Sequence, residues 1–290
     1  MARRPRLTYP GAIHHVMSRG NRKSKIFVDD RDRLDFIELL SAARERFNVL
    51  WRSFVLMNTH YHLEVETPEG NISKAMRYIN GVFTQRWNRR HHTTGHVFEG
   101  RFKSPLIEDG HYARSVLRYI ALNPVEANYV QHAAEWPWSS HRALAGLVPP
   151  PEFLDLKWLR RDFEGSSLRE CQRQYQAFVD REEKHFLDFE DGIVLGSEGY
   201  RSNIRELIGE TMHGIIVPRS YRALARPPLS VLFSGVREDL DRRNRMIIRA
   251  QVVYGYLQSE VGKALGVHPN TISKITRAIK HQKYFLVRTA

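Results

Sequence analysis

The chain has 290 residues, 42% of them hydrophobic, enough for two modest domains or one large one around a real core. Its 45 Lys and Arg outnumber 32 Asp and Glu to give a net charge of +13, which solubility alone does not require; polyanion binding explains it, because cations displace the counterions condensed on a phosphate backbone. There is no run of about 18 apolar residues, the basic start Met1-Ala2-Arg3-Arg4-Pro5-Arg6 leads into no apolar signal core, and Cys171 stands alone, so a transmembrane helix, an internal disulfide and a multi-cysteine zinc site are excluded, secretion is not expected, and a cytoplasmic, non-membrane protein is expected.

In chain order, residues 12–18 follow Tyr9-Pro10-Gly11, mix β-branched and apolar side chains, and read as a strand ended by Gly20-Asn21. Asp29-Asp30-Arg31-Asp32 caps an amphipathic helix to about Phe47, with Leu34, Phe36, Ile37, Leu39 and Leu40 as its apolar side. Residues 49–57 read as a second strand, Asn58-Thr59 as a short turn, and the alternating 60–66 as a third strand. Pro68-Glu69-Gly70-Asn71 leads into a helix from Ile72 to Arg89. A His- and Gly-rich loop over 91–101 precedes a short strand, Ser104–Glu108, and a helix, His111–Leu122, that Asn123-Pro124 is expected to stop. The order β-α-β-β-α-β followed by a helix predicts the α+β class: a ferredoxin-like antiparallel sheet with helices on one face.

Two local patterns carry chemistry. His60-Tyr61-His62 lies in a strand, where residues two apart share a face, so two imidazoles can hold one cation while Tyr61 points away. Two His on a half-exposed strand are equally compatible with the spacing. Tyr119 and Asn123 are four apart on one helix face, a candidate nucleophile beside a candidate hard ligand for Mg²⁺ or Mn²⁺. A core aromatic followed by a helix stop fits that spacing too. His91, His92 and His96 lack a suitable fourth ligand and read as a polar loop rather than a zinc cluster.

The strings YPGAIHHVMSRGN, IFVDDRDRLDF, MNTHYHLEVETPEGN, TGHVFEGRFKSPLIED, LRYIALNPVEA and WPWSSH occur in this order over residues 5–145. Together they resemble the REP-associated tyrosine transposases, relatives of the HUH single-strand transposases. The resemblance implies that His60 and His62 bind a divalent metal, Mg²⁺ or Mn²⁺, that Tyr119 is the nucleophile, and that Asn123 adds a ligand. It implies a site-specific single-strand DNA endonuclease and strand transferase that passes through a 5′-phosphotyrosine and acts on repetitive extragenic palindrome (REP) hairpins. Three departures stand out: Thr59 where the family has Asn before the first His, Glu126 in place of a basic residue after Asn-Pro-Val, and Phe98-Glu99-Gly100-Arg101-Phe102 where WQGRY is usual.

Charge is uneven. Residues 1–128 are net +8, 129–200 net −5, and 201–290 net +10. Two basic blocks around an acidic middle suggest two nucleic-acid-contacting units joined by a segment that need not touch phosphate; taken with the resemblance, they imply a catalytic domain over 1–128, a helical connecting region over 129–200, and a helical DNA-binding domain over 201–290. In the first block Arg19, Arg22, Lys23, Lys25, Arg86, Arg89, Arg90, Arg101 and Lys103 are candidate contacts to the DNA backbone. Trp51, Trp87, Phe98 and Phe102 are candidate stacking platforms, although a core role outweighs stacking for each. In the last, residues 245–280 read as helical and 259–275 resemble a helix-turn-helix, whose second helix would present Asn270, Thr271 and Lys274 to a groove. Trp136 and Trp138 read as packing residues. The expected partner is single-stranded and hairpin DNA, with the chain a monomer or homodimer. The competing reading is a non-catalytic DNA-binding regulator derived from a transposase.

Overall fold

The computed structural model describes residues 7–181, 194–211, 228–235, 240–248, 250–251 and 256–276. The basic Met1–Arg6 stretch, Arg226-Pro227 and the helix expected beyond 276 lie outside the described residues. The chain divides into two units, 6–197 and 198–290.

The first unit is built on a five-stranded sheet in the order β2-β3-β1-β4-β5. Its strands are β1 (Ala12–Arg19), β2 (Leu50–Leu56), β3 (His60–Thr67), β4 (Leu106–Ile107) and β5 (Val194–Leu195). β1 to β4 pair antiparallel, in the strand order of a split βαβ plan, while β5 joins β4 in parallel at Leu106↔Val194 and Ile107↔Leu195. The fifth strand was not foreseen from the sequence, because two residues carry no periodicity to read.

Alternation sorts the two faces. Val16, Leu63, Val65, Phe54 and Leu56 face α1 (Asp30–Phe47) and α2 (Ile72–Arg90) in the main core, with Phe36, Leu39, Leu40, Met76, Ile79 and Phe83. Helix α1 starts where Asp29 Oδ1 accepts from the backbone N–H of Arg31 at 3.0 Å and of Asp32 at 3.3 Å. Leu34 is 52% exposed, which corrects its expected place on the apolar side. Phe36, Leu39, Leu40 and Ala43 set the buried stripe at i, i+3, i+4 and i+7, and a residue two before Phe36 falls about 200° away from it.

The other face is covered by α3 (His111–Glu126), whose Ala113, Val116 and Ile120 pack with Ile13, Val55, Met57, Ile107 and Leu195. Helices therefore lie on both faces, not one. Pro124 does not stop α3, which runs on to Glu126 with the proline inside it. A proline forfeits one helical hydrogen bond, a small loss this close to the end. Asn128, left-handed at φ 57°, marks the real terminus.

Residues 129–181 and 194–197 fall in the same compact unit as the sheet. The Trp138 carbonyl accepts from Leu56 N at 2.8 Å, and Trp136 Nε1 donates to the Leu56 carbonyl at 3.2 Å, so the segment covers the open edge of β2. Three helices follow: α4 (His141–Leu144), α5 (Leu159–Asp162) and α6 (Leu168–Asp180).

The second unit contains α7 (Glu198–Thr211), α8 (Leu229–Leu232), α9 (Leu240–Ile248) and α10 (Gln258–Leu265), with a further helical run over 269–276. Its core holds Leu232, Phe233, Ile247, Ala250, Tyr256, Val261 and Ile272. Gly266, at φ 67°, ends α10, and a Cβ on Gly262 would stand 2.7 Å from the Val267 carbonyl. Only glycine at 262 lets the turn fold back so tightly against the helix. Among the described residues no helix is long and apolar enough to cross a membrane.

Candidate active site

The hairpin between β2 and β3 turns through Asn58-Thr59, closed by Met57 N donating to the His60 carbonyl at 2.9 Å. That turn places His60 and His62 at the start of β3. In the β1–β3 ladder Arg19 lies opposite His60 and Met17 opposite His62. Directly opposed residues of an antiparallel pair share a face, so β1 adds its own side chains to the histidine face. Tyr61 points to the other face and donates to Asn80 Oδ1 at 2.9 Å.

Helix α3 brings Tyr119 and Asn123 onto the histidines. The Tyr119 ring stands 5.2 Å from that of His62, edge-on, and 5.8 Å from that of His15. The His60 and His62 ring centroids are 5.1 Å apart. Asn123 Oδ1 lies 3.2 Å from His60 Nε2, and Asn123 is hydrogen-bonded to Tyr119. Thr59 Oγ1 lies 3.0 Å from His60 Nδ1. His15 Nε2 lies 3.0 Å from His62 Nδ1, an interaction between two buried side chains.

These groups open on a cleft of about 300 Å³ lined by His60, His62 and Tyr119 together with Met17, Arg19, Glu99, Arg101 and Lys103. Glu99 is paired with Arg19 at 3.4 Å. Of the expected backbone contacts, Arg19, Arg101 and Lys103 thus share the cleft with the histidines and the phenol. Arg22, Lys23, Lys25 and Arg89 are exposed but are not among its lining residues. Nor are Arg86 and Arg90: Arg86 pairs with Glu38 at 3.0 Å, and Arg90 with Asp29 and Asp32. Trp51, Phe98 and Phe102 are core residues. Trp87 packs against His91, whose Nε2 lies 2.9 Å from Asp32 Oδ1. In the second unit Asn270, Thr271 and Lys274 are exposed on the helical run 269–276.

Burial sets the protonation of the site. It lowers the pKa of His15 to about 3 and holds His60 and His62 below the usual 6.5. All three rings are therefore neutral at pH 7, with lone pairs to offer. Burial first, and the negative charge of Glu126 second, raise the Tyr119 phenol above its ordinary 10, while the hydrogen bond to Asn123 opposes them.

The donor set suits a divalent cation. Two neutral imidazoles and an amide oxygen are acceptable ligands for Mn²⁺ or Mg²⁺. The 3.2 Å between His60 Nε2 and Asn123 Oδ1 is close to the separation of about 3.0 Å between neighbouring octahedral ligands held at about 2.1 Å. Among the described residues no group of three His, Cys, Asp or Glu side chains gathers in metal-binding geometry, so a cation held here would need the Asn123 amide beside the two histidines. Sequence reading missed His15 and Glu99. His15 stood in the quoted string AIHHVMSRG, but its role depends on the β1–β3 register. Glu99 was noted only as a departure from a motif.

Residues 8–123 match the family model described as Transposase IS200 like. A Haemophilus influenzae protein named among the REP-associated tyrosine transposases is 29% identical over 110 residues, covering 34% of this chain and 62% of the relative, so the chain spans less than two thirds of that relative's length. A solved REP-associated tyrosine transposase bound to a REP hairpin has a TM-score of 0.44 at 22% identity, over 54% of this chain and 96% of the other. A Deinococcus radiodurans R1 protein assigned as a transposase has a TM-score of 0.30 at 12% identity, over 45% and 98%. The segment of this chain that is similar to the IS200-like transposase family, residues 8–123, is thus the one that carries His60, His62, Tyr119 and Asn123.

Proposed function

We propose that the chain is a site-specific endonuclease and strand transferase on single-stranded DNA, with Tyr119 as nucleophile and Mg²⁺ or Mn²⁺ held by His60, His62 and Asn123. The observation that carries this reading is the convergence of the Tyr119 and His62 rings, 5.2 Å apart, on a cleft also lined by Arg19, Arg101 and Lys103. A cation held by His60, His62 and Asn123 would supply polarisation of the scissile phosphate and offset the charge that develops on it. Arg19, Arg101 and Lys103 hold the DNA backbone. Tyr119 Oη bonds to phosphorus as the bond to the 3′ oxygen breaks. The phenol loses its proton, and the departing 3′ oxygen ends as a hydroxyl. The adduct is a 5′-phosphotyrosine that keeps the phosphodiester's reactivity, so a second 3′-OH reverses the step onto a new strand.

In this reading residues 1–128 carry the chemistry, 129–200 connect, and 201–290 bind DNA, with Asn270, Thr271 and Lys274 on the reading helix of a helix-turn-helix. The exposed Arg22, Lys23, Lys25 and Arg89 extend the basic surface, to which Arg86 and Arg90 contribute only by leaving their acidic partners. REP hairpins are the proposed substrate, supported by the sequence resemblance and by the name of the Haemophilus influenzae relative.

The test is covalent trapping of labelled single-stranded and hairpin oligonucleotides. Wild-type chain is expected to form an adduct with Mn²⁺ or Mg²⁺ and none with EDTA. Tyr119→Phe is expected to form none while shifting the same oligonucleotides on a native gel. Undiminished adduct from Tyr119→Phe rejects the nucleophile, and an adduct indifferent to EDTA rejects the metal.

A further inference from the structure

We infer that His15 is a positioning residue for the cation ligands: its Nε2 accepts the Nδ1–H of His62 and so keeps the Nε2 lone pair of His62 turned to the cleft. The inference rests on the reading of His60 and His62 as ligands.

His15 and His62 come from β1 and β3, 47 positions apart, and their facing nitrogens are 3.0 Å apart. His15 is 0% exposed and His62 6%. A contact of that length between two imidazoles holds one proton, and burial disfavours a charged form of either ring. The proton lies on one side or the other. If His15 donates, His62 carries its own proton on Nε2, the nitrogen left for the cleft that His62 lines. A protonated Nε2 has no lone pair for a cation, and the strand pair is reduced to one ligand. If His62 donates through Nδ1, both imidazoles of β3 can ligate through Nε2.

The neighbouring histidine shows the same plan. His60 has Thr59 Oγ1 3.0 Å from its Nδ1 and turns its Nε2 to Asn123. A ligating imidazole needs such a partner on its second nitrogen to fix tautomer and ring plane. Thr59 stands in that place for His60, and His15 for His62. The strand register enforces the second case. Met17 lies opposite His62, so His15, two residues along β1, falls on the same face at the inner end of the pair. His15 also borders the Tyr119 ring at 5.8 Å, so the side chain that orients the ligand packs against the nucleophile as well.

The test uses the full-length, metal-free chain labelled with ¹⁵N-histidine. Long-range ¹H–¹⁵N spectra are expected to show His62 as the Nδ1–H tautomer. In His15→Phe, which keeps a ring but removes the acceptor, that preference is expected to disappear and Mn²⁺ affinity, read by calorimetry, to fall roughly 10–100-fold, the usual cost of losing such a partner. His15→Gln, whose side-chain oxygen can accept at the same reach, is expected to restore most of both. An Nε2–H tautomer at His62 in wild-type chain that does bind Mn²⁺ overturns the role of His15 alone. Unchanged Mn²⁺ affinity in a folded His15→Phe protein does the same. A wild-type chain that binds no Mn²⁺ overturns the ligand reading of His60 and His62, and the inference with it.

Discussion

Tyr119 works against its surroundings. A phenol attacks phosphorus best as phenolate, yet partial burial and the charge of Glu126 hold its pKa above the usual 10. On the proposed chemistry the rate therefore rises with pH through the neutral and mildly alkaline range, and lowering that pKa moves the rise to lower pH. Glu126→Gln removes one of the two raising causes. It is expected to increase adduct formation roughly 2–5-fold at a fixed pH near 8, the size of a partly screened charge interaction. A pH–rate profile of wild type and variant decides it, and superimposable profiles reject any influence of Glu126 on the nucleophile. At this scale the sequence was informative where a pattern is local. His60 and His62 sit two apart on a strand, and Tyr119 and Asn123 four apart on a helix, so each pair follows from one element's geometry. His15 joins them only through strand pairing, and Glu99 only because the 91–101 loop returns to β1, where Glu99 N donates to the Arg19 carbonyl at 2.9 Å. Neither relation is local.

Among the elements, α3 and β2 hold the site in place by different means. Asn123 would have been a frayed terminal residue had the helix ended before Pro124. Because α3 continues to Glu126, Asn123 stays in register one turn beyond Tyr119. Reading Pro124 as a stop gave proline's sterics too much weight so near a helix end. On β2, the fully buried Arg52 bonds Asp162 at 3.0 Å and Asp109 at 3.1 Å, lies 3.5 Å from Glu64 on β3, and stacks on Trp158 at 4.9 Å. Burial pushes the Glu64 carboxyl up to about 7 even with that guanidinium beside it. Arg52→Met takes the guanidinium away from the buried Glu64 and leaves Asp109 and Asp162 with only the exposed Arg161, which pairs with them at 2.9 and 3.2 Å. The expected loss is about 3–5 kcal/mol, the usual cost of breaking one side of a buried ion pair, seen as a lower urea midpoint. A midpoint unchanged within error would show that the network does not hold β2, β3 and α5 together. Nothing in the sequence linked Arg52 to Asp162, which are 110 positions apart.

For the molecule as a whole, the two compact units carry the two basic blocks, and the acidic stretch falls largely within the first. The split βαβ order was legible because each of its long elements has its own periodicity and punctuation. The placement of α3 on the second sheet face and the addition of β5 were not, since both depend on where a later segment docks. The proposed division of labour has a direct consequence. Replacing Asn270, Thr271 and Lys274 together by Ala is expected to weaken hairpin affinity roughly tenfold or more, as loss of base-edge and phosphate contacts does. Adduct formation at saturating oligonucleotide is expected to hold. Filter binding and trapping on the same preparations separate the two, and unaltered hairpin affinity removes the second unit from recognition. The claim on which everything else depends is that the phenol on α3 is the group that takes the phosphate. Its most direct test is to trap wild-type chain on a hairpin oligonucleotide with Mn²⁺, digest the adduct, and locate the nucleotide by mass spectrometry. The expected result is a phosphodiester on Tyr119; the same mass on Tyr112, Tyr129 or any other residue would contradict it.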